Sequence, residues 1–352
     1  DRFARLLKER DWLLADGATG TNLFALGLQH GDSPELWNLD HPERVRQHYR
    51  SFLAAGSDII LTNTFGGNRH RLKLHKAESR VHEINKRAAE IAREEADKMD
   101  RPVIVAGSMG PTGELFQPLG ALTPEEGEAA FAEQARALAE GGVDVLWIET
   151  LSAVDEVKAA LAGAGQIGLP VTTTLSFDTN GRTMMGVMPG QLAQLAHELQ
   201  PTPVAYGGNC GVGAAELAIA LENMTKAATP GDVLIAKSNC GIPEWNGDSI
   251  EYNGTPELMA DYARIAIDCG ARIIGGCCGT TPDHIARMRT ALETHTKGPA
   301  PSAEEIVARL GEVSLGAQEQ AAGEATGDLP VGEAARAGGQ RRRGGRTGRR
   351  EA

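Results

Sequence analysis

Aromatic residues are scarce in this chain of 352 residues, at 4% of the composition, and long hydrophobic runs are missing. No stretch approaches the roughly 20 apolar residues that a membrane-spanning helix needs. The first segment, DRFARLLKERDWLL, carries too many charges for a signal peptide. We therefore expect a cytoplasmic protein. Hydrophobic residues still make up 41% of the chain, which is enough for a sizeable core.

An excess of positive charge is also lacking, since the formal net charge is -12. This balance argues against nucleic acid as the main partner. Residues 298–352 contain eight Arg and eight acidic residues, so the whole net charge lies in residues 1–297. The later segment is rich in Ala, Gly, Glu and Pro and ends in the run QRRRGGRTGRR. We expect one domain over 1–297 and a disordered, Arg-ended tail over 298–352, with room for one short helix at 303–315.

Cysteines are few, and their number is odd. The five are Cys210, Cys240, Cys269, Cys277 and Cys278. An odd number in a chain of this length does not indicate a disulfide framework. A reduced compartment fits better, with some of the thiols used for metal binding or chemistry.

One pattern is repeated eight times: a short apolar run rich in β-formers, a polar or glycine-rich turn, and an amphipathic helical stretch. The apolar runs begin near Trp12, Asp58, Pro102, Val143, Pro170, Pro203, Asp232 and Ala271. The clearest helical stretches are 41–55, 78–99, 123–140, 255–269 and 281–294, and the last three open with Thr-Pro. Eight such units predict an α/β protein with a (β/α)8 TIM barrel. The alternative, a doubly wound open sheet, often has GxGxxG after its first strand, and that motif is absent here.

The sequence GGCCG follows the last predicted strand and contains Cys277 and Cys278. Adjacent residues of a regular strand face opposite sides, but the flanking glycines relax the backbone and would let both thiols converge. Cys210, at the end of another strand, would add a third sulfur. Three thiolates and one vacant position are typical of a catalytic zinc site. Cys240 is a possible fourth ligand that would close the site, whereas Cys269 lies inside a helix and is expected to be a buried structural residue.

An open thiolate-rich zinc site can bind a substrate thiol and hold it as the nucleophilic thiolate. Two carboxylates, Asp16 and Glu149, end buried strands, where a charge is costly unless it is paired. A substrate ammonium would pair them, and the glycine-bracketed turn at 17–21 offers N–H groups to a carboxylate. These features suggest an amino-acid clamp. Alternatively, Asp16 caps the following helix and Glu149 meets an internal Lys or Arg.

Several motifs occur in order over about residues 11–294, namely DGATGT, TNTF, GPTGEL, the ET and NC at two strand ends, and GGCCGTTPDHI. In these motifs the chain resembles the homocysteine S-methyltransferase family. The resemblance implies a barrel whose metal ligands are Cys210, Cys277 and Cys278, and a reaction that forms methionine. It also implies a set of homocysteine contacts, namely Asp16, Gly17, Thr64, Ser108, Glu149 and Asn209.

The methyl donor divides this family. TNTFGGNRHRL and SFDTNGRTMMG look most similar to the homocysteine-binding module of cobalamin-dependent methionine synthase. This similarity implies a methylated corrinoid, methylcobalamin, presented by a partner protein. Betaine-using members have a Tyr where this chain has Gly66, although Trp37, Trp245 and Tyr252 could rebuild a cation cage. S-methylmethionine is a further donor, and a non-catalytic zinc and homocysteine-binding component of a larger complex is the remaining alternative.

Overall fold

The computed structural model describes residues 1–245, 247 and 250–323. The Arg-rich run of the tail lies outside these residues. No helix in the described part of the chain combines the length and the apolar character needed to span a membrane.

Eight parallel strands form a barrel. Within the described residues the strands are β1 (Leu13–Leu14), β2 (Ile59–Leu61), β3 (Ile104–Met109), β4 (Val145–Leu151), β5 (Val171–Leu175), β6 (Ala205–Cys210), β7 (Leu234–Ser238), β8 (Pro243–Trp245), β9 (Ile250–Tyr252) and β10 (Ala271–Gly276). The sheet order is β1-β10-β7-β6-β5-β4-β3-β2, and a parallel bridge between Ala15 and Ile59 joins its two ends. The predicted (β/α)8 barrel is therefore confirmed. Strands β8 and β9 form a separate antiparallel hairpin after β7, which the sequence pattern did not predict.

Helices surround the barrel. They are α1 (Arg2–Glu9), α2 (Gly20–Ala25), α3 (Trp37–Asp40), α4 (Pro42–Ala54), α5 (Arg69–Leu72), α6 (Val81–Ala96), α7 (Pro124–Glu140), α8 (Val154–Gly165), α9 (Pro189–Ala196), α10 (Ala214–Ala227), α11 (Pro256–Asp268), α12 (Pro282–Thr294), α13 (Ala303–Leu310) and α14 (Leu315–Ala321). Short 3-10 turns lie at Pro34–Leu36, Lys73–His75 and Glu78–Arg80. The Thr-Pro starts act as expected, because Thr123 and Glu126 form a reciprocal capping box at the first turn of α7.

Two apolar regions hold the layers together. Inside the barrel, alternate strand residues such as Ile59, Trp147 and Ile235 pack with one another, and Phe3 and Leu6 of α1 join them. Helix α1 thus closes the N-terminal end of the barrel and leaves the C-terminal end open. The larger region lies between the strands and the surrounding helices.

The first part of the predicted tail folds onto the barrel. Helix α13 lies within the predicted helical segment 303–315, and α14 is a second helix that follows it. Ser314, the N-cap of α14, donates its backbone N–H to the buried Glu216 carboxylate at 2.9 Å. Gly316 N donates to Asn180 Oδ1 at 2.7 Å. Helical structure therefore extends past the segment predicted to be helical, because partners 98 and 136 residues away in sequence stabilise it.

Candidate active site at the open end of the barrel

A cavity of about 320 Å³ lies at the C-terminal end of the barrel strands. Parallel strands bring their carboxyl ends to one rim, so residues far apart in sequence meet there. The cavity walls include Gly17, Thr64, Ser108, Glu149, Cys210, Lys237, Cys277 and Cys278. Seven of these eight residues were predicted from the sequence to form the site.

Three thiols form one wall of the cavity. The Sγ atoms of Cys210, Cys277 and Cys278 all lie within 4.8 Å of one another, and the Cys210 and Cys278 sulfurs are 4.0 Å apart. The neighbouring Cys277 thiol and burial raise the pKa of Cys210 to about 12. The Cys210 thiol and burial likewise raise the pKa of Cys278 to about 11. Without a cation nearby, these two thiols therefore stay protonated at neutral pH.

The backbone around the thiols has the unusual conformation that their convergence requires. Cys210 adopts a φ of 60°, in the left-handed region that non-glycine residues rarely occupy, and Gly279 adopts a φ of 77°. Asn239 links the two cysteine segments, since its Oδ1 accepts from Cys278 N at 3.1 Å and its Nδ2 donates to Gly211 O at 2.6 Å. The three sulfurs are therefore held in position by the fold itself.

Asn209 connects the thiols to the end of β4. Its Oδ1 accepts from Thr150 N at 2.9 Å and from the Thr174 hydroxyl at 2.6 Å, and its Nδ2 donates to Thr150 Oγ1 at 2.7 Å. The same Nδ2 lies 3.9 Å from Cys277 Sγ. Asn209 is not itself part of the cavity wall, so it positions Thr150 and Cys277 from behind the wall.

Glu149 and Lys237 line the other side of the cavity, and Asp16 pairs with Lys237 outside the cavity wall. Lys237 Nζ donates to Asp16 Oδ1 at 2.8 Å, and Leu61 N donates to Asp16 Oδ2 at 2.7 Å. Burial disfavours the ammonium, but the Asp16 and Glu149 carboxylates outweigh this effect and raise the pKa of Lys237. The Ser108 hydroxyl donates to Glu149 Oε1. Burial raises the pKa of Glu149, against the opposing effects of Lys237 and Ser108.

Gly17 and Thr64 complete the predicted set. A Cβ on Gly17 would lie 2.6 Å from the carbonyl oxygen of Thr280, so only glycine allows this close approach to the loop that carries the cysteine pair. Thr64 is fully buried, and its hydroxyl donates to the carbonyl oxygen of Ser108 at 2.7 Å. Thr64 therefore fixes the end of β3 beside the cavity.

Some residues considered in the sequence lie elsewhere. Cys240 Sγ lies 3.0 Å from His284 Nε2 and 3.2 Å from Gly254 O, outside the group of three thiols. Trp37 is buried beneath Arg44 and is not part of the cavity wall. Tyr252 contacts the segment at Gly279 and, like Trp37, is not part of the cavity wall.

Sequence reasoning missed Lys237. Its signal was present, because a lysine stands inside the apolar run VLIAKSN, where a charge must find a partner. Asp16 does not cap the following helix, contrary to the alternative interpretation of the sequence. An internal lysine lies at this site, and its hydrogen bond goes to Asp16 rather than to Glu149.

Comparisons with known proteins identify the family of this chain. The homocysteine S-methyltransferase family profile matches residues 13–292. Methionine synthase of Mycobacterium leprae is 32% identical over 313 residues, which cover 84% of this chain and 25% of that protein. Methionine synthase of Mycobacterium tuberculosis is 30% identical over 298 residues, which cover 80% of this chain and 24% of that protein. The chain thus spans about a quarter of the length of these curated relatives.

The metallated form of the homocysteine methyltransferase MmuM from Escherichia coli has a similar fold. The TM-score is 0.69 at 24% sequence identity, and the match covers 82% of this chain and 99% of that chain. The fold and the site together define a (β/α)8 barrel with a three-thiol centre at its open end. The family match covers nearly the whole barrel, and the chain belongs to the homocysteine S-methyltransferase family.

Proposed function

We propose that this chain is a zinc-dependent homocysteine S-methyltransferase that forms methionine. The observation that carries the proposal is the meeting of three thiols with the buried Glu149 carboxylate and Lys237 in one cavity. A thiol-bearing amino acid has complementary groups for both sides of such a cavity. The family membership and the methionine synthase relatives support the same substrate.

The three cysteines fit a zinc ion. Thiolates bound to one zinc at about 2.3 Å in a tetrahedron lie about 3.8 Å apart, and Cys210 and Cys278 are 4.0 Å apart. Three soft sulfur ligands leave a fourth position for a substrate. When bound there, zinc would hold the substrate sulfur as a thiolate, which is the nucleophilic form at neutral pH.

The remaining residues would bind and orient homocysteine. The substrate ammonium is expected at the side of the cavity that Glu149 lines, with Asp16 just outside the wall, and the substrate carboxylate at the backbone of the turn after β1. Thr64, Ser108 and Asn209 would hold the rims of these strands in place. Fixing both ends of the amino acid aligns its sulfur with the incoming methyl group, which suits an in-line displacement.

We propose a methylated corrinoid, presented by a partner protein, as the methyl donor. The methionine synthase relatives are about four times longer than the segment they share with this chain. Large exposed apolar side chains lie in the segments that follow six of the barrel strands at the open end: Phe24, Phe65, Leu115, Leu119, Met184, Val212 and Ile242. Such a rim suits a second protein that covers the cavity during transfer.

The test is methionine formation by zinc-loaded protein supplied with homocysteine and, separately, methylcobalamin or betaine. We expect turnover with methylcobalamin and none with betaine. Turnover with betaine alone would replace the corrinoid proposal with a self-contained enzyme. No turnover with either donor, combined with tight zinc and homocysteine binding, would favour the non-catalytic binding component.

Cysteine variants test the metal site separately from the donor. Cys277→Ala and Cys278→Ala should each lose stoichiometric zinc, measured by metal analysis after dialysis, and all methionine formation. Cys240→Ala and Cys269→Ala are matched controls, because both replace buried cysteines outside the group of three. Full zinc content and turnover in Cys277→Ala would refute the ligand assignment.

A further inference from the structure

A second cavity, of about 450 Å³, lies beside the candidate active site. Residues within 111–119, 150–156 and 176–185 form its walls, so it lies between the segments that follow β3, β4 and β5. Thr150 lines both cavities, which places the second one at the same open end of the barrel. Three large exposed apolar side chains belong to its walls: Leu115, Leu119 and Met184.

The rim of the second cavity is acidic. Glu114, Asp155 and Asp178 line it and are exposed, and none of the three has an ion pair within the described part of the chain. The lining formed by the described residues contains no Lys, Arg or His. Glu156 differs from the other three, because it is buried and accepts from the Thr112 backbone N–H at 2.8 Å and from the Thr112 hydroxyl at 2.7 Å. The second cavity therefore fits a ligand that carries several cations on apolar stems.

This chain contains a segment with that chemistry. Residues 341–350, RRRGGRTGRR, include six arginines and no acidic residue. An arginine side chain packs its apolar stem along an apolar surface and presents a planar guanidinium that matches a carboxylate. The segment lies outside the described residues, the last of which is residue 323. It is thus a candidate occupant on the grounds of charge and shape.

Helix α14 brings the last described residues to one wall of the second cavity. Gly316 N donates to Asn180 Oδ1 at 2.7 Å, and Gln320 Nε2 donates to Gly181 O at 2.8 Å. Asn180 and Gly181 belong to the segment between β5 and α9 that also carries Asp178 and Met184. The 17 residues from 324 to 340 can span at most about 60 Å. The arginines are therefore within reach of the acidic rim.

We propose that segment 341–350 docks in the second cavity, with guanidinium groups on the rim carboxylates and side-chain stems on the apolar walls. Exposed ion pairs are individually weak. Attachment through a short linker, however, gives an effective concentration of about 1 mM, so a contact with a dissociation constant of about 1 mM is already half occupied. This inference goes beyond the proposed function. A partner that delivers a methyl donor would have to displace the segment from this part of the rim.

Photo-crosslinking in the full chain tests the docking. Benzoylphenylalanine replaces Met184 or Leu119, which are 69% and 70% exposed on two walls of the second cavity. Leu74 is the matched control position, because it is also 69% exposed but lies in the basic segment 69–76. We expect the first two probes to capture 341–350 in about tenfold higher yield than the Leu74 probe, since three exposed ion pairs together correspond to a factor of that order. Peptide mapping by mass spectrometry measures the yields.

Charge variants then test the role of the rim. The first variant removes the three rim carboxylates and should lower the yield of the Met184 probe to that of the Leu74 probe: Glu114→Gln, Asp155→Asn and Asp178→Asn. The control variant has the same change in net charge at the other end of the barrel and should keep the yield: Asp11→Asn, Asp100→Asn and Glu198→Gln. Sodium chloride at about 1 M should also abolish the capture, because the Debye length then falls to about 3 Å.

Equal yields from the three probe positions, or no capture of 341–350 from either wall, would overturn the proposal. So would an unchanged yield in the first variant. Crosslinks that join two chains and disappear on dilution would assign the cavity to a second copy of the protein instead. None of these variants changes the three thiols, so failure of the docking leaves the proposed function intact. Circular dichroism identifies any variant that has not folded.

Discussion

His48 is a buried residue that makes the unfolding free energy of this barrel depend on pH. It lies on α4, fully buried against Tyr49 and Phe52, and among the described residues neither of its ring nitrogens has a hydrogen-bond partner. Burial lowers the pKa of His48 from 6.5 to about 4. The unfolded chain therefore takes up a proton between these pH values, whereas the folded chain does not.

The contribution of His48 to stability is complete above pH 6.5 and is lost as the pH falls towards about 4. The difference in pKa corresponds to about 3 kcal/mol of unfolding free energy. We expect His48→Leu to remove this part of the pH dependence, because leucine suits the apolar site and does not titrate. Urea unfolding at several pH values measures the effect. Phe52→Leu, a change at a buried neighbour of His48 that does not titrate, is the matched control and should keep the wild-type dependence of unfolding free energy on pH. The same dependence in all three proteins would contradict the prediction.

At the residue scale, local sequence signals predicted the three thiols but not the residues that hold the site in place. Adjacent cysteines between glycines already indicate a metal or chemical role, and the structure brings Cys277 and Cys278 together with Cys210. Lys237 was missed because its role depends on Asp16, which is 221 residues away in sequence and adjacent only across the closed barrel. Asn239 was missed for the same reason, since it joins two separate strand ends.

At the element scale, helix α14 depends on its N-cap more than an ordinary surface helix does. Ser314 accepts from Ala317 N and also donates from both its backbone N–H and its hydroxyl to Glu216, which is 4% exposed. Ser314→Ala removes the cap and one of the donors to a buried carboxylate. We expect a loss of about 2–3 kcal/mol in unfolding free energy, measured by chemical denaturation.

The neighbouring helix α13 provides the control. Ser302 caps α13 through Glu305 N and has an exposed capping box with no buried carboxylate. Ser302→Ala should therefore cost only about 1 kcal/mol. Equal losses in the two variants would show that Glu216 does not need the Ser314 hydroxyl.

Helices could be predicted from the sequence where a capping motif and the hydrophobic periodicity indicated the same segment. The Thr-Pro starts predict helices at 123–140 and 255–269, and the structure has them at Pro124–Glu140 and Pro256–Asp268. Helix α14 and the β8–β9 hairpin had no comparable signal. Both are short elements, and local propensity carries little information in such cases.

At the scale of the whole molecule, metal binding should stabilise the complete barrel. The three thiols come from β6 and from the segment after β10, so the site exists only when the barrel is folded. A ligand that binds only the folded state stabilises it by about 2.7 kcal/mol at a concentration 100 times its dissociation constant. We expect zinc to raise the thermal midpoint of the wild type under reducing conditions, as measured by differential scanning calorimetry.

The Cys278→Ala variant should lose most of that increase, and Cys269→Ala should keep it. A rise of the same size in both variants would place the stabilising ion elsewhere on the protein.

The eightfold repeat was sufficient to predict the barrel, because each unit carries its own strand and helix signals. The methyl donor could not be derived in the same way, because the loops at the open end of the barrel do not follow the repeat.

The order of the thiols along the chain has a consequence for the synthesis of this protein. Cys210 and Cys278 are 68 residues apart, and Cys277 and Cys278 follow the last barrel strand. At about 5–20 residues per second, a ribosome needs roughly 3–14 seconds to make that interval. During this time the nascent chain presents Cys210 without its partners, and the barrel still lacks the strand that pairs with β1. The zinc ion proposed for this site could therefore bind all three thiols only after the last barrel strand has been made and paired with its neighbours.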